Sequence, residues 1–90
     1  MWLIYEKKSL LKSFKSIPLR IKKEYELWKR IFELQGTQGI RDIKGYHDEA
    51  LKGEWKGFRS SRLSLQRRVI YKTEKETLTV YVIDINAHKY

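Results

Sequence analysis

Arg59, Arg62, Arg67 and Arg68 crowd into one stretch of the chain, with Lys52 and Lys56 just ahead of them and Trp55 and Phe58 in between. Guanidinium groups grip phosphate in a bidentate fork, and aromatic rings stack on bases. The mixture fits contact with a nucleic-acid backbone and its bases. The bland reading of the same residues is charge on an edge strand or solvent face that prevents aggregation. Beside this stretch lies Glu49, in His47-Asp48-Glu49. A carboxylate among Lys and Arg is either a general base or a surface ion-pair partner. His88, in Asn86-Ala87-His88-Lys89-Tyr90, is a proton donor if the basic stretch is an RNA site, and a solvated side chain otherwise. His47 has the same two readings.

The charge of the whole chain weighs for binding. Twenty Lys and Arg against eleven Asp and Glu give +9, and the pI is near 9.9. Such an excess calls for a polyanionic partner: nucleic acid, an anionic membrane or an acidic protein. With no cysteine there are no disulfides and no Cys-based metal sites. Two histidines do not make a structural zinc site of the usual type. No apolar run is long enough to span a membrane, and Met1-Trp2-Leu3-Ile4-Tyr5-Glu6 lacks the basic-then-apolar order of a signal peptide. The expectation is a cytoplasmic protein with a polyanionic partner and no small-molecule cofactor. At 90 residues the chain is one domain, 1–90.

Elements must hold these residues in place. Trp2 to Tyr5 reads as a strand. Leu10, Leu11, Phe14 and Ile17 share a helical face, and Ile17-Pro18 breaks that helix. A second helix starts with Pro18 in its first turn and carries the stripe Ile21, Tyr25, Trp28, Phe32, with Ile31 beside it. This stripe is core. Gly36 is a natural helix stop, and the glycine-punctuated segment from Gly36 to Gly57 reads as loop with one short helical turn at most. Phe58 to Leu63, Arg67 to Lys72 and Thr77 to Ile85 are strands, with a turn over Thr73 to Glu76. The order β-α-α-β-β-β predicts an α+β domain: an N-terminal strand, and an αα-hairpin packed on one face of a mostly antiparallel sheet. Alternation sends Val69 and Tyr71 toward the helices and Arg68 to the open face.

Glu49-Ala50-Leu51-Lys52, Gly57-Phe58-Arg59-Ser60-Ser61-Arg62-Leu63, Arg68-Val69-Ile70-Tyr71 and the terminal His88-Lys89-Tyr90, in that order, resemble the RelE/ParE toxin superfamily. The nearest likeness is to its RelE and YoeB-like mRNA interferases. The resemblance implies a RelE-like microbial RNase fold and the toxin of a type II toxin–antitoxin system. It implies metal-independent cutting of mRNA in the ribosomal A site, by attack of the ribose 2′-OH on the adjacent phosphate. The partners implied are a cognate antitoxin, the ribosome and mRNA. Residue by residue, Glu49 matches the YoeB-like general base. Arg68, nineteen positions on, matches the arginine that stabilises the phosphate. His88 matches the C-terminal acid, and Tyr90 the terminal tyrosine that positions substrate. Arg59 and Lys52 match added phosphate contacts. Lys89 departs from the pattern, in which His and Tyr are adjacent. Two rivals stand beside this reading: a ParE-like DNA gyrase inhibitor of the same fold, and a non-catalytic RNA- or ribosome-binding module.

Overall fold

The structure is a computed structural model and describes residues 1–87. Strand β1 is Leu3–Glu6 and alternates as a strand with one covered face must: Leu3 and Tyr5 are exposed, Ile4 and Glu6 half-buried. The Glu6 carboxylate accepts hydrogen bonds from the Tyr25 hydroxyl (2.6 Å) and the Lys29 ammonium (3.2 Å), which ties β1 to the long helix. Helix α1, Lys8–Ser13, runs into a single 3₁₀ turn, Phe14–Ser16. Ile17 is extended (φ −81°, ψ 129°), the conformation that a following proline favours. Pro18 caps helix α2 from just outside, not from within its first turn, and its carbonyl accepts the amides of Ile21 and Lys22. Leu10 and Ile17 are buried, whereas Leu11, expected with them, is 52% exposed.

Helix α2 is Leu19–Asp42, and its stripe Ile21, Tyr25, Trp28 and Phe32 is buried. Burial of each such side chain stabilises by roughly 1.5–3 kcal/mol. Gly36 does not end the helix. It breaks the helix locally at φ 67°, ψ −161°, a region open to glycine, and helical geometry resumes to Asp42. Trp2 occupies the break: a Cβ on Gly36 would stand 2.4 Å from its indole nitrogen. The expected loop therefore begins seven residues late. It holds 3₁₀ turns at Lys44–Tyr46 and Gly53–Trp55 and a two-residue strand, β2, Glu49–Ala50. Two residues are too short to show the alternation that announces a strand in sequence.

The remaining strands are β3 (Arg59–Arg62), β4 (Arg68–Glu74) and β5 (Thr79–Asn86). The β4–β5 turn is Lys75–Leu78, two residues beyond its expected place. Among the described residues the sheet order is β1-β5-β4-β3-β2, with β1 parallel to β5 and every other pair antiparallel. A bulge opposite Ile70 and Tyr71 shifts the register, so Ile70 pairs with Asp84 but Tyr71 with Val82. The extra residue re-aims β5, and Val80, Val82 and then Ile85 all reach the core. Trp28, Phe32 and Tyr71 meet edge-on or tilted at 5.1–5.4 Å, which seats α2 on the sheet. The α+β architecture is the expected one: helices on one face of a mostly antiparallel sheet, with no helix on the other face among the described residues.

Candidate active site on the open face of the sheet

Side chains opposite one another on antiparallel strands share a face. Val69 and Tyr71 belong to the core, so Arg68 and Ile70 point away from the helices, as alternation predicts. Ser60 pairs with Ile70 and with Glu49, so these too lie on the open face. There the Arg68 guanidinium (Nη1) lies 3.6 Å from Glu49 Oε1 and donates to Ser60 Oγ at 3.2 Å. Arg68 is mostly covered and its direction is set, whereas the Glu49 side chain is 59% exposed. A fixed cation beside an accessible carboxylate can hold a phosphate and accept a proton next to it. Asn86, at the end of β5, pairs with Arg68 from the other side. His88 and Tyr90 lie outside the described residues.

Arg59 does not join this group. It pairs with Tyr71 across β3–β4 and so faces the helix layer, where its Nε and Nη2 meet Asp48 Oδ1 at 2.7 and 2.6 Å. The resemblance implies a phosphate contact for Arg59; the register puts Arg59 and Arg68 on opposite faces, with Arg59 held by Asp48. The Asp48 side chain is fully buried and accepts from Ser61 Oγ and the Tyr71 hydroxyl through its other oxygen. Ser61 in turn accepts from the Trp28 indole at 3.0 Å. A buried carboxylate with this many donors is a saturated structural group. Burial, and then Asp48, push the Tyr71 phenol up from its ordinary value. Burial alone would lower Arg59, but the hydrogen bond and charge of Asp48 outweigh it and hold the guanidinium above its ordinary value. Sequence reasoning left Asp48 out. The available signal was its place beside Glu49 at a strand start, where neighbours must face opposite ways.

The other predicted contacts surround the pair at different depths. Lys52 and Lys56 are exposed in the hairpin between β2 and β3, which the Leu51 amide closes onto the Phe58 carbonyl at 2.9 Å. Arg62 is opposite Arg68 and half-buried. Arg67 is half-buried in the β3–β4 turn, where its amide donates to Ser64 Oγ. His47 adopts φ 42°, turning the chain into β2, and is exposed. Among the described residues no group of His, Cys, Asp and Glu could hold a metal ion, and no helix is long and apolar enough to cross a membrane.

No protein-family model and no curated protein matches the sequence. Solved structures do match over nearly the whole chain. YafQ from E. coli BL21(DE3) superposes with a TM-score of 0.79 at 16% identity, covering 98% of this chain and 94% of that one. The YoeB/ParE toxin from Agrobacterium tumefaciens gives 0.76 at 17% identity, over 97% and 99%. The archaeal RelE of the RelE–RelB complex from Pyrococcus horikoshii OT3 gives 0.75 at 17%, over 96% and 93%. At such identities the likeness carries architecture alone. The chain has the fold of the RelE/YoeB-like toxins.

Proposed function

We propose that this chain is the toxin of a type II toxin–antitoxin pair and that it cuts mRNA in the ribosomal A site. The observation that carries the reading is the Glu49–Arg68 pair, a carboxylate and a guanidinium 3.6 Å apart on the sheet face turned away from the helices. The fold shared with toxins of the RelE, YoeB and YafQ type supports it. In this mechanism Glu49 takes the proton of a ribose 2′-OH, and the freed oxygen attacks the adjacent phosphorus. Arg68 faces the negative charge that builds on the five-coordinate phosphorus. The bond to the 5′ oxygen breaks, and His88 gives that oxygen its proton. The products are a 2′,3′-cyclic phosphate and a 5′-OH. Tyr90 positions the strand. The base, the cation and the acid all come from the chain, so the proposed reaction is metal-independent.

Lys52, Lys56, Arg62 and Arg67 contact flanking phosphates in this scheme. Arg59 acts at one remove, by holding Asp48 and so the start of β2 that carries Glu49. The protein partner is an acidic antitoxin, drawn to a surface of net charge +9. RelE and YoeB toxins have been solved in complex with RelB and YefM. We take residues 1–90 as one toxin unit acting in the cytoplasm, where ribosomes are.

The test is single-turnover cleavage of mRNA on programmed ribosomes, with the new ends identified chemically. The expected result is a cut in the A-site codon that leaves a cyclic phosphate. A folded chain that leaves ribosome-bound mRNA intact overturns the reading, and inhibition of gyrase in its place would favour the ParE-like rival. Cutting of naked RNA is no substitute, because positioning by the ribosome supplies much of the rate.

A further inference from the structure

Across the open face, about 13 Å along β4 from Arg68 at ~3.3 Å per residue, runs a row of rings that the proposed mechanism does not use. Tyr5 on β1 pairs in register with Tyr81 on β5, and their rings stack at 5.7 Å and 18°. Tyr81 pairs with Lys72 on β4, whose ammonium lies 5.7 Å from the Tyr81 ring and 5.7 Å from that of Phe58. Phe58 meets Trp55 edge-on at 5.4 Å. The row thus spans the sheet from the β1 edge to the β2–β3 hairpin.

Its members are not core. Tyr5 is 58% exposed. Lys72 is exposed, and Tyr81, Phe58 and Trp55 are half-buried. The Tyr81 hydroxyl donates to Glu74 at 3.2 Å, which fixes the edge of that ring. The row is one side chain wide, with a cation in the middle and the exposed Lys52 and Lys56 beside its Trp55 end. That shape is a track for a strand, not a plate for a globular partner.

We infer that this row is a stacking track for the unpaired bases of the RNA strand whose scissile phosphate lies at Glu49 and Arg68. The inference rests on the reading of this face as an RNA surface. Every base has a π-face, so such a track tolerates sequence and is indifferent to the sugar. Lys72 meets a phosphate between stacked bases. Aromatic pairs across strands also stabilise sheets, and the test must separate the two roles.

The probe is a labelled single-stranded 2′-deoxy-oligonucleotide of about twelve nucleotides, within the site sizes of such tracks. It lacks the attacking hydroxyl and cannot be cut, so binding of the full chain is read by anisotropy apart from catalysis. Tyr5→Leu and Phe58→Leu keep apolar bulk but remove the π-face, and each should weaken binding about fivefold or more. Tyr5 is exposed enough that its variant folds whatever Phe58→Leu does, and melts check both. Lys72→Gln should lower the salt dependence by about one counterion. A duplex of equal length, its bases hidden, should bind less well than the single strand. Wild-type affinity in both Leu variants overturns the inference, as does a preference for duplex. Variants that keep the oligonucleotide but lose the antitoxin would assign the row to protein contact and overturn it equally. Cleavage on ribosomes is scored separately. A chain that binds through the row but never cuts loses only the nuclease, and one that cuts while its Leu variants bind normally loses only the track.

Discussion

Asp48 and Glu49 are adjacent, both acidic, and each is paired with an arginine from another strand, Arg59 on β3 and Arg68 on β4, yet the two pairs are built for opposite ends. Asp48 is buried under the helices and saturated by Arg59, Ser61 and Tyr71 at hydrogen-bond distance. Glu49 stands over the open face, 59% exposed, at 3.6 Å from Arg68. The first pair has spent its hydrogen-bonding capacity on the fold. The second leaves a carboxylate free to move a proton and a cation free to meet an anion. One step of strand alternation separates structure from chemistry.

Breaking the buried pair should do the most to the fold. Asp48→Ala leaves Arg59 without its partner and strands the Ser61 and Tyr71 hydroxyls, and should cost about 3–5 kcal/mol of stability. Urea unfolding measures it, and a loss below about 1 kcal/mol, the scale of exposed pairs, would mean the network is not what holds β2 and β3 to the helices.

Breaking the open pair should do the reverse. Arg68→Ala should raise the cleavage barrier by about 2.7–4 kcal/mol, by analogy with loss of one oxyanion donor. Its stability should fall by only about 1 kcal/mol, for the hydrogen bond to Ser60. Normal single-turnover cutting by a folded Arg68→Ala chain would remove Arg68 from the site.

Glu49→Gln sharpens the comparison from the carboxylate side. As the base, Glu49 is worth about a hundredfold in rate or more. As an exposed ion-pair partner it is worth about 0–1 kcal/mol of stability and little else. A rate within a few-fold of wild type decides for the second role. His88→Gln, with the proton donor removed and the shape nearly kept, should also slow cutting about a hundredfold.

The smallest effect is a pH dependence whose largest sources are two buried phenols. The Tyr71 phenol is raised above its ordinary 10.0 by burial and then by Asp48. Tyr25 is raised by burial and then by Glu6. Above pH 10 the unfolded chain therefore releases these protons while the folded chain keeps them. Their contribution is complete below about pH 10 and is lost as pH rises beyond it. Stability in urea should decline through that window, and Tyr71→Phe should decline less steeply. Parallel slopes would show that Tyr71 is not a source of the dependence.

Much of this was written in patterns with a period. The stripe Ile21, Tyr25, Trp28, Phe32 has helical spacing because one helix face is buried, and it is buried as expected. Arg68 flanked by Val69 could face only one way once Val69 entered the core. The ordered motifs around Glu49 and Arg68 carried the resemblance that the fold comparison matched. Features without a period were not legible. Gly36 reads as a stop, and only the Trp2 indole seated against it explains a break with helix on both sides. The two-residue β2 exists because β3 offers it a partner.

The sequence by itself determined the layers, the polarity of the chain and which residue types could handle phosphate, since composition and periodicity act locally. Tertiary structure alone decided which arginine serves which carboxylate. Arg59, Arg62, Arg67 and Arg68 are equivalent as a list of charges. Strand register turns Arg59 inward to Asp48 and Arg68 outward to Glu49. A side-chain period of two makes that choice absolute, because a one-residue slip would exchange the faces.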